Sequence, residues 1–180
     1  MKAVLDGLDV MYDAALVFGD LAERKSKILV SHGLTPKQYA LATVHRAENT
    51  DDDTRLANIM EGLASVGKKR YPVVLPLHPR TRQALKKIGY HVDENNGQGG
   101  NPIFFLDPVS FLDMVMLEKN AALVLTDSGG VQKEAFFHGV PCITLRDETE
   151  WVETVEAGWN QVVGARADAI INAAIQAKKG

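Results

Sequence analysis

The chain has 180 residues, of which 46% are hydrophobic and 24% charged, a balance typical of a folded globular domain of ordinary size. Its formal net charge of -3 gives no support for a nucleic acid or an anionic membrane surface as partner. Every apolar run is much shorter than the roughly 20 residues of a membrane-spanning helix, and the single cysteine, Cys142, favours a reducing, cytoplasmic setting.

The spacing of apolar residues predicts helices and strands that alternate along the chain. A long amphipathic helix is predicted first, over residues 9–30. Strands are predicted over 39–44, 72–77, 103–106, 121–125 and 142–145, with an extended segment at 161–163. Further helices are predicted over 53–66, 80–88, 110–118, 150–157 and 167–178, and one that begins after residue 128 and ends near Gly139. The segment 89–102, rich in asparagine and glycine, is predicted to be a loop.

This alternation indicates an α/β fold with a doubly wound, Rossmann-like parallel sheet. In such sheets ligands bind outside the carboxyl ends of the strands. The residues at the five predicted strand ends are His45 and Arg46, His78 and Arg80, Asp107, Asp127 and Ser128, and Arg146 and Asp147. Histidine or arginine comes first at three of these five ends, which favours an anionic ligand.

The segment 126–135, TDSGGVQKEA, follows a buried strand and opens a helix. Ser128 is placed to cap that helix, and Gly129 and Gly130 leave its first amide groups unobstructed. Free amides at a helix start, together with the positive end of the helix dipole, suit a phosphate. Glu134 lies six residues beyond Ser128, about 9 Å along the helix axis, where it can meet the sugar hydroxyls next to a bound phosphate. The alternative interpretation is an ordinary helix cap.

Each of the other candidate residues also has a structural interpretation. His45 can bond a loop carbonyl, Arg46 can pair with a nearby acidic residue, and His78 can be a turn residue before a proline. No metal site is predicted, because the sequence has no pair of histidines or cysteines at ligand spacing. Ser128 lacks the glycine that a nucleophile elbow needs two positions earlier, and the phosphate loop of ATPases is absent.

Four segments in register resemble the non-hydrolysing UDP-N-acetylglucosamine 2-epimerases. They are TVHRAEN at 43–49, LHP at 77–79, LTDSGG with EA at 125–135, and RDETE at 146–150. The resemblance runs from about Asp9 to Gly164 and covers only the C-terminal half of the family's two-domain GT-B architecture. It implies that residues 9–180 form a single UDP-binding domain, and that the N-terminal catalytic half of the two-domain enzyme is absent. Residues 1–8 fit the pattern poorly, and we interpret them as a non-native leader.

The resemblance implies UDP or UDP-GlcNAc as ligand, with no cofactor. It places Ser128, Gly129 and Gly130 at the diphosphate and Glu134 at the ribose. His45 is implied as a catalytic residue beside the diphosphate.

Further roles follow from the same resemblance. It implies that Arg146 belongs to the UDP site, and that Arg46 and His78 contact a second, activating UDP-GlcNAc. The carboxylates that act as acid and base belong to the absent half. Trp151 stands where many bacterial members carry a ligand-contacting arginine, a departure that bears on the activating site or on the choice of sugar.

The family's reaction explains why a strong diphosphate site is needed. The C2 hydrogen of UDP-GlcNAc is not next to a carbonyl, so the family eliminates UDP and adds it back with the opposite C2 configuration, giving UDP-ManNAc. We therefore expect the missing half and a second copy of this chain as partners. Two other interpretations remain at this point: the donor-binding half of a GT-B glycosyltransferase, and a non-catalytic flavodoxin-like binding module.

Overall fold

The computed structural model describes residues 2–92 and 102–177, with side chains from Val10 onward. Its centre is a six-stranded sheet in which each pair of neighbouring strands is parallel, in the order β3-β2-β1-β4-β5-β6. The strands are β1 Ala40–Thr43, β2 Val73–Pro76, β3 Ile103–Leu106, β4 Leu123–Thr126, β5 Cys142–Thr144 and β6 Asn160–Val162. The strand order reverses between β1 and β4, which is where ligands bind in such sheets.

Helices precede and connect the strands. They are α1 Lys2–Lys25, α2 Ile28–Ser31, α3 Ala47–Thr50, α4 Asp53–Lys69, α5 Pro79–Lys87, α6 Phe111–Asn120, α7 Gly129–Phe137, α8 Val152–Glu156 and α9 Ala167–Gln176. Within the described residues no helix has the length and apolarity needed to cross a membrane.

Both faces of the sheet are covered by helices. Alternate strand residues point to opposite faces, so Ala40 and Ala42 belong to one core and Leu41 to the other. The first core packs under α4, α5 and α9, and the second under α2, α6 and α7. Burial on both faces explains why the central strands are continuously apolar instead of alternating. The predicted doubly wound α/β fold is confirmed.

The structure differs from the predicted elements in three places. Helix α1 begins at Lys2, seven residues before the predicted start. The helix predicted over 9–30 is two helices, because the Ser26 hydroxyl accepts a hydrogen bond from the Ile28 amide (3.2 Å) and donates one to Asp113 (2.5 Å). Serine commonly diverts the backbone in this way. The short helix α3 was not predicted, since four residues are too few to show helical periodicity. Of the predicted loop over 89–102, residues 93–101 lie outside the described part.

Candidate functional site

The ends of β1 and β4 meet at the point where the strand order reverses. Thr43 and Thr126 are register partners, and their hydroxyl oxygens are 2.5 Å apart. The turn after β1 carries His45, and the turn after β4 carries Ser128. The two turns are joined by hydrogen bonds, so His45 and Ser128 lie at the same edge of the sheet.

Asp127 holds these two turns together. Its carboxylate is fully buried and accepts hydrogen bonds from the amides of His45 (3.1 and 3.0 Å) and Arg46 (3.0 Å). It also accepts one from Asn49 Nδ2 (3.1 Å), which in turn donates to the Leu145 carbonyl (2.9 Å). Sequence reasoning noted Asp127 at a strand end but gave it no role. The available signal was an aspartate directly after a buried strand, facing a polar turn.

His45 and His78 line one cavity of about 330 Å³ at this edge. Their ring centroids are 5.8 Å apart, and His45 Nδ1 lies 3.4 Å from Asp127 Oδ1. His78 also caps α5, because its Nδ1 accepts a hydrogen bond from the Arg80 amide (3.2 Å). The cavity is lined by Thr43, Val44, His45, Pro76, His78, Pro108, Val109, Met114 and Val131. It thus combines a polar end at the two histidines with a mostly apolar wall.

The start of α7 presents two backbone amides next to this cavity. The Ser128 hydroxyl accepts from the Val131 amide (3.5 Å), and the Ser128 amide donates to Thr126 Oγ1 (2.9 Å). The amides of Gly129 and Gly130 have no hydrogen-bond partner in the described part of the chain. Two unpaired donors at the positive end of a helix dipole are able to bind an anion.

The two glycines at this helix start differ in their surroundings. A Cβ at Gly129 would collide with Glu150 Oε1, and the Gly129 carbonyl accepts a hydrogen bond from the indole of Trp151 (2.7 Å). The Trp151 ring in turn lies 3.7 Å from the ammonium of Lys133. A Cβ at Gly130 would meet only Ser128 Oγ, at 3.9 Å. Trp151 therefore contacts the start of α7 at the Gly129 carbonyl, and Gly130 faces open space.

This difference predicts opposite effects of two alanine substitutions on stability. Gly129→Ala should lower the free energy of unfolding by about 1–2 kcal/mol, because the methyl group must displace Glu150. Gly130→Ala should raise it by about 0.5–1 kcal/mol, because alanine restricts the unfolded chain more than glycine does. Urea unfolding of both variants measures this. A larger loss for Gly130→Ala than for Gly129→Ala would contradict the described packing.

Arg146 is held between two glutamates at the rim of the site. Its guanidinium donates to Glu48 (2.9 Å) and to Glu150 (2.8 Å), and its side chain is 13% exposed. Burial acts against the charge of Arg146, but the hydrogen bonds to Glu48 and Glu150 outweigh it and raise its pKa. In this structure Arg146 fastens the segment after β5 to the segment after β1.

Two other predicted site residues, Arg46 and Glu134, do not line this cavity. Arg46 is exposed at the rim and makes no ion pair within the described residues, since Asp51 pairs with Arg80 instead. Glu134 lies one helical turn beyond Val131, in a neighbouring cavity of about 160 Å³ between α1, α6 and α7. That cavity is lined by Met11, Ala14, Ala15, Phe18, Phe111, Val115, Glu134, Phe137 and His138.

The structure therefore brings His45, His78 and the α7 start into one place, with Glu134 adjacent and Arg46 and Arg146 at the rim. Among the described residues there is no group of three histidine, cysteine, aspartate or glutamate side chains that could hold a metal ion.

Comparison with known proteins shows which family the chain resembles. A family model described as UDP-N-acetylglucosamine 2-epimerase matches residues 7–180. The chain is 47% identical over 166 residues to UDP-2,3-diacetamido-2,3-dideoxy-D-glucuronate 2-epimerase of Pseudomonas aeruginosa, covering 92% of this chain and 43% of that protein. It is 48% identical over 164 residues to a UDP-N-acetylglucosamine 2-epimerase homolog of Methanococcus maripaludis, covering 91% of this chain and 44% of the relative.

A solved structure is also similar to this chain, both in sequence and in backbone fold. The UDP-GlcNAc 2-epimerase of Methanocaldococcus jannaschii, in complex with UDP-GlcNAc and UDP, matches with a TM-score of 0.80 and 39% identity. The match covers 94% of this chain and 47% of that one, so the chain spans less than half the length of the relatives it matches. The family model covers nearly all of the sequence, and the chain belongs to the UDP-N-acetylglucosamine 2-epimerase family.

Proposed function

We propose that this domain holds the UDP portion of a UDP-sugar at the edge where β1 and β4 end, as the C-terminal half of a GT-B-type 2-epimerase. The observation that carries the proposal is the pair of unpartnered amides at Gly129 and Gly130, at the same sheet edge as the imidazole of His45, which lies 3.4 Å from Asp127. Fixed donors and a histidine beside a helix start form a site for a diphosphate.

The residues that line the two neighbouring cavities support one orientation of the bound nucleotide. The apolar wall of the larger cavity, formed by Pro108, Val109, Met114 and Val131, suits a planar base. The diphosphate would then lie against the α7 start. The ribose would reach toward Glu134, which is one helical turn further along α7 than Val131. A carboxylate is a strong acceptor for a pair of ribose hydroxyls.

The nucleotide is better supported than the sugar. The P. aeruginosa relative is named for a diacetamido-glucuronate sugar, and the M. jannaschii protein is named for N-acetylglucosamine. Both names share UDP and epimerisation at C2. We propose UDP-GlcNAc as substrate, with UDP as the part that this half recognises. Trp151 contacts the start of α7 through the Gly129 carbonyl and the Lys133 ammonium.

Residues of this half must stabilise UDP as it leaves the sugar and must keep it bound until it is added back. When the C1–O bond to UDP breaks, negative charge develops on the diphosphate, and the Gly129 and Gly130 amides stabilise it through fixed dipoles. His45, when protonated, adds a positive charge at the same place. The diphosphate must also stay bound until it is added back, which keeps the reactants at high effective concentration. The acid and base that act at C2 are expected from the N-terminal half.

An apolar surface on α1 supports a missing partner. Apolar side chains that are well exposed on this helix are Val10, Met11, Tyr12, Leu16, Val17 and Phe18, and Phe111 of α6 is exposed beside them. Large contiguous apolar patches on a monomer mark interaction surfaces. We propose that the N-terminal half covers this patch in the whole enzyme, and that a second copy of the chain covers it weakly otherwise.

The test of the proposal is an assay of the 180-residue chain with UDP-GlcNAc. We expect the chain to bind UDP-GlcNAc without converting it to UDP-ManNAc, because the acid and base are absent and water can enter the open cleft. Proton NMR of the anomeric region follows both sugars. Conversion at the rate of a full-length family member would contradict the assignment of the acid and base to the other half.

A further inference from the structure

Glu118 of α6 has a buried carboxyl group with no assigned role. It is fully buried, and neither of its carboxyl oxygens has a hydrogen-bond donor within the described residues. A buried acceptor without a donor is costly, and native structures avoid it. The group that faces Glu118 across the contact between α6 and α7 is the carboxyl group of Glu134.

Two ionised carboxylates cannot hydrogen-bond to each other, because both are acceptors. If one of the two groups carries a proton, its hydroxyl can donate to the other. Burial raises the pKa of Glu118 well above its usual range, and the negative charge of Glu134 raises it further. Glu134 is only partly buried. Of the two groups, Glu118 is therefore the one whose surroundings favour the protonated form.

The charged groups around Glu118 leave this pair undisturbed. Titratable residues around Glu118 and its neighbour His138 include Glu134 of α7, Tyr39, Cys142 of β5, Lys37, Lys119 and Glu23. Helix α7 also carries Lys133, whose ammonium lies 3.7 Å from Glu153. Lys119 pairs with Glu23 at 2.8 Å, and the Lys37 ammonium donates to the carbonyls of Lys119 and Ala121 (3.1 and 3.0 Å).

The other titratable neighbours are neutral near pH 7. Burial lowers the pKa of His138 to about 4, and burial raises the pKa of Tyr39 well above its usual range. Burial likewise raises the pKa of Cys142 to about 12. The Tyr39 hydroxyl donates to the Leu117 carbonyl (2.7 Å), so it is not a donor to Glu118.

We propose that Glu118 is a positioning residue of the UDP site: as a neutral carboxylic acid it donates a hydrogen bond to the Glu134 carboxylate and aims that carboxylate at the ribose hydroxyls. This inference rests on the proposed ribose contact of Glu134. When Glu118 ionises, the hydrogen bond is lost and the two carboxylates repel each other. Affinity for UDP should then fall as pH rises.

The proton on Glu118 also makes the free energy of unfolding depend on pH. A carboxyl group whose pKa is raised in the folded state keeps its proton where the unfolded chain has lost it. The free energy of unfolding therefore falls as pH rises from the ordinary glutamate range, near pH 4.5, toward the raised pKa. Glu118→Gln removes this titration and should flatten the dependence.

The first measurement needs no ligand. Infrared difference spectroscopy at neutral pH detects the carbonyl stretch of a protonated carboxylic acid. We expect this band in the wild-type chain and in the control Glu61→Gln, an exposed residue of α4, and we expect it to be missing in Glu118→Gln. Absence of the band in wild type, or its persistence in Glu118→Gln, would overturn the inference whatever happens to UDP binding.

The second measurement compares UDP affinity across neutral to mildly alkaline pH in wild type, Glu118→Gln and Glu118→Met. Glutamine keeps a donor, so it should bind UDP as tightly as wild type at neutral pH and lose the extra weakening at higher pH. Methionine fills similar space without a donor and should weaken UDP about tenfold. Because wild type and the two variants share every other group of the site and the same ligand, the comparison between them isolates the contribution of residue 118.

The UDP titrations separate a failure of the Glu118 inference from a failure of the proposed function. Unchanged UDP affinity in Glu118→Met, with a folded chain by circular dichroism, would show that the pair does not position Glu134. If wild type binds no UDP at all, the proposed function fails, and the infrared band still decides whether Glu118 and Glu134 share a proton.

Discussion

Asp127→Ala is expected to lower the free energy of unfolding by about 3 kcal/mol. The buried carboxylate accepts from the amides of His45 and Arg46 and from Asn49, and its removal leaves these donors unpaired. Leaving a buried donor unpaired costs about 1–3 kcal/mol, and more where the lost acceptor was charged. Urea unfolding followed by circular dichroism measures the change.

Two further variants make this result specific. Asp127→Asn keeps the shape of the side chain but turns an amide donor toward backbone donors, so it should be almost as unstable as Asp127→Ala. Asp51→Ala, which removes an exposed ion pair with Arg80, should cost less than about 1 kcal/mol. A wild-type stability for Asp127→Asn would mean that the carboxylate does not hold the two turns together.

Glu134→Ala is expected to weaken UDP by about 1–3 kcal/mol, or roughly five- to 150-fold in Kd. The reason is that the ribose hydroxyls lose a charged acceptor. Uridine contains the same ribose, so it should be weakened by a similar factor. Isothermal titration calorimetry with both ligands measures this.

The control for Glu134 is Glu156→Ala, an exposed glutamate at the end of α8, which should leave both affinities unchanged. Equal UDP affinity in wild type and Glu134→Ala would remove the ribose role, and with it the nucleotide orientation proposed for the two neighbouring cavities.

The sheet could be predicted from the sequence because its strands are buried on both faces. Segments such as Ile103–Leu106 are short apolar runs between polar turns, and their length favours a strand over a buried helix. The break between α1 and α2 could not be predicted, since it depends on Ser26 bonding to Asp113, which lies 87 positions further along the chain. Helix α3 contains one turn only, too little for a periodic signal.

The site was predictable to the extent that it follows from topology. Parallel strands end at one edge, so His45 and Ser128 were expected together, and the structure places them there. The environment of individual side chains was not predictable. Arg146 forms an ion pair with Glu48 of α3, and the contact between Glu118 and Glu134 depends on how α6 packs against α7.

The most direct test of a diphosphate site at this edge is calorimetry of the wild-type chain and His45→Ala with UDP and with uridine. UDP should bind wild type more tightly than uridine, and His45→Ala should weaken UDP by about 1–3 kcal/mol while leaving uridine nearly unchanged. The difference between the two ligands isolates the diphosphate. Equal affinities of wild type for UDP and uridine, or equal losses of both in His45→Ala, would contradict a diphosphate held between His45 and the start of α7.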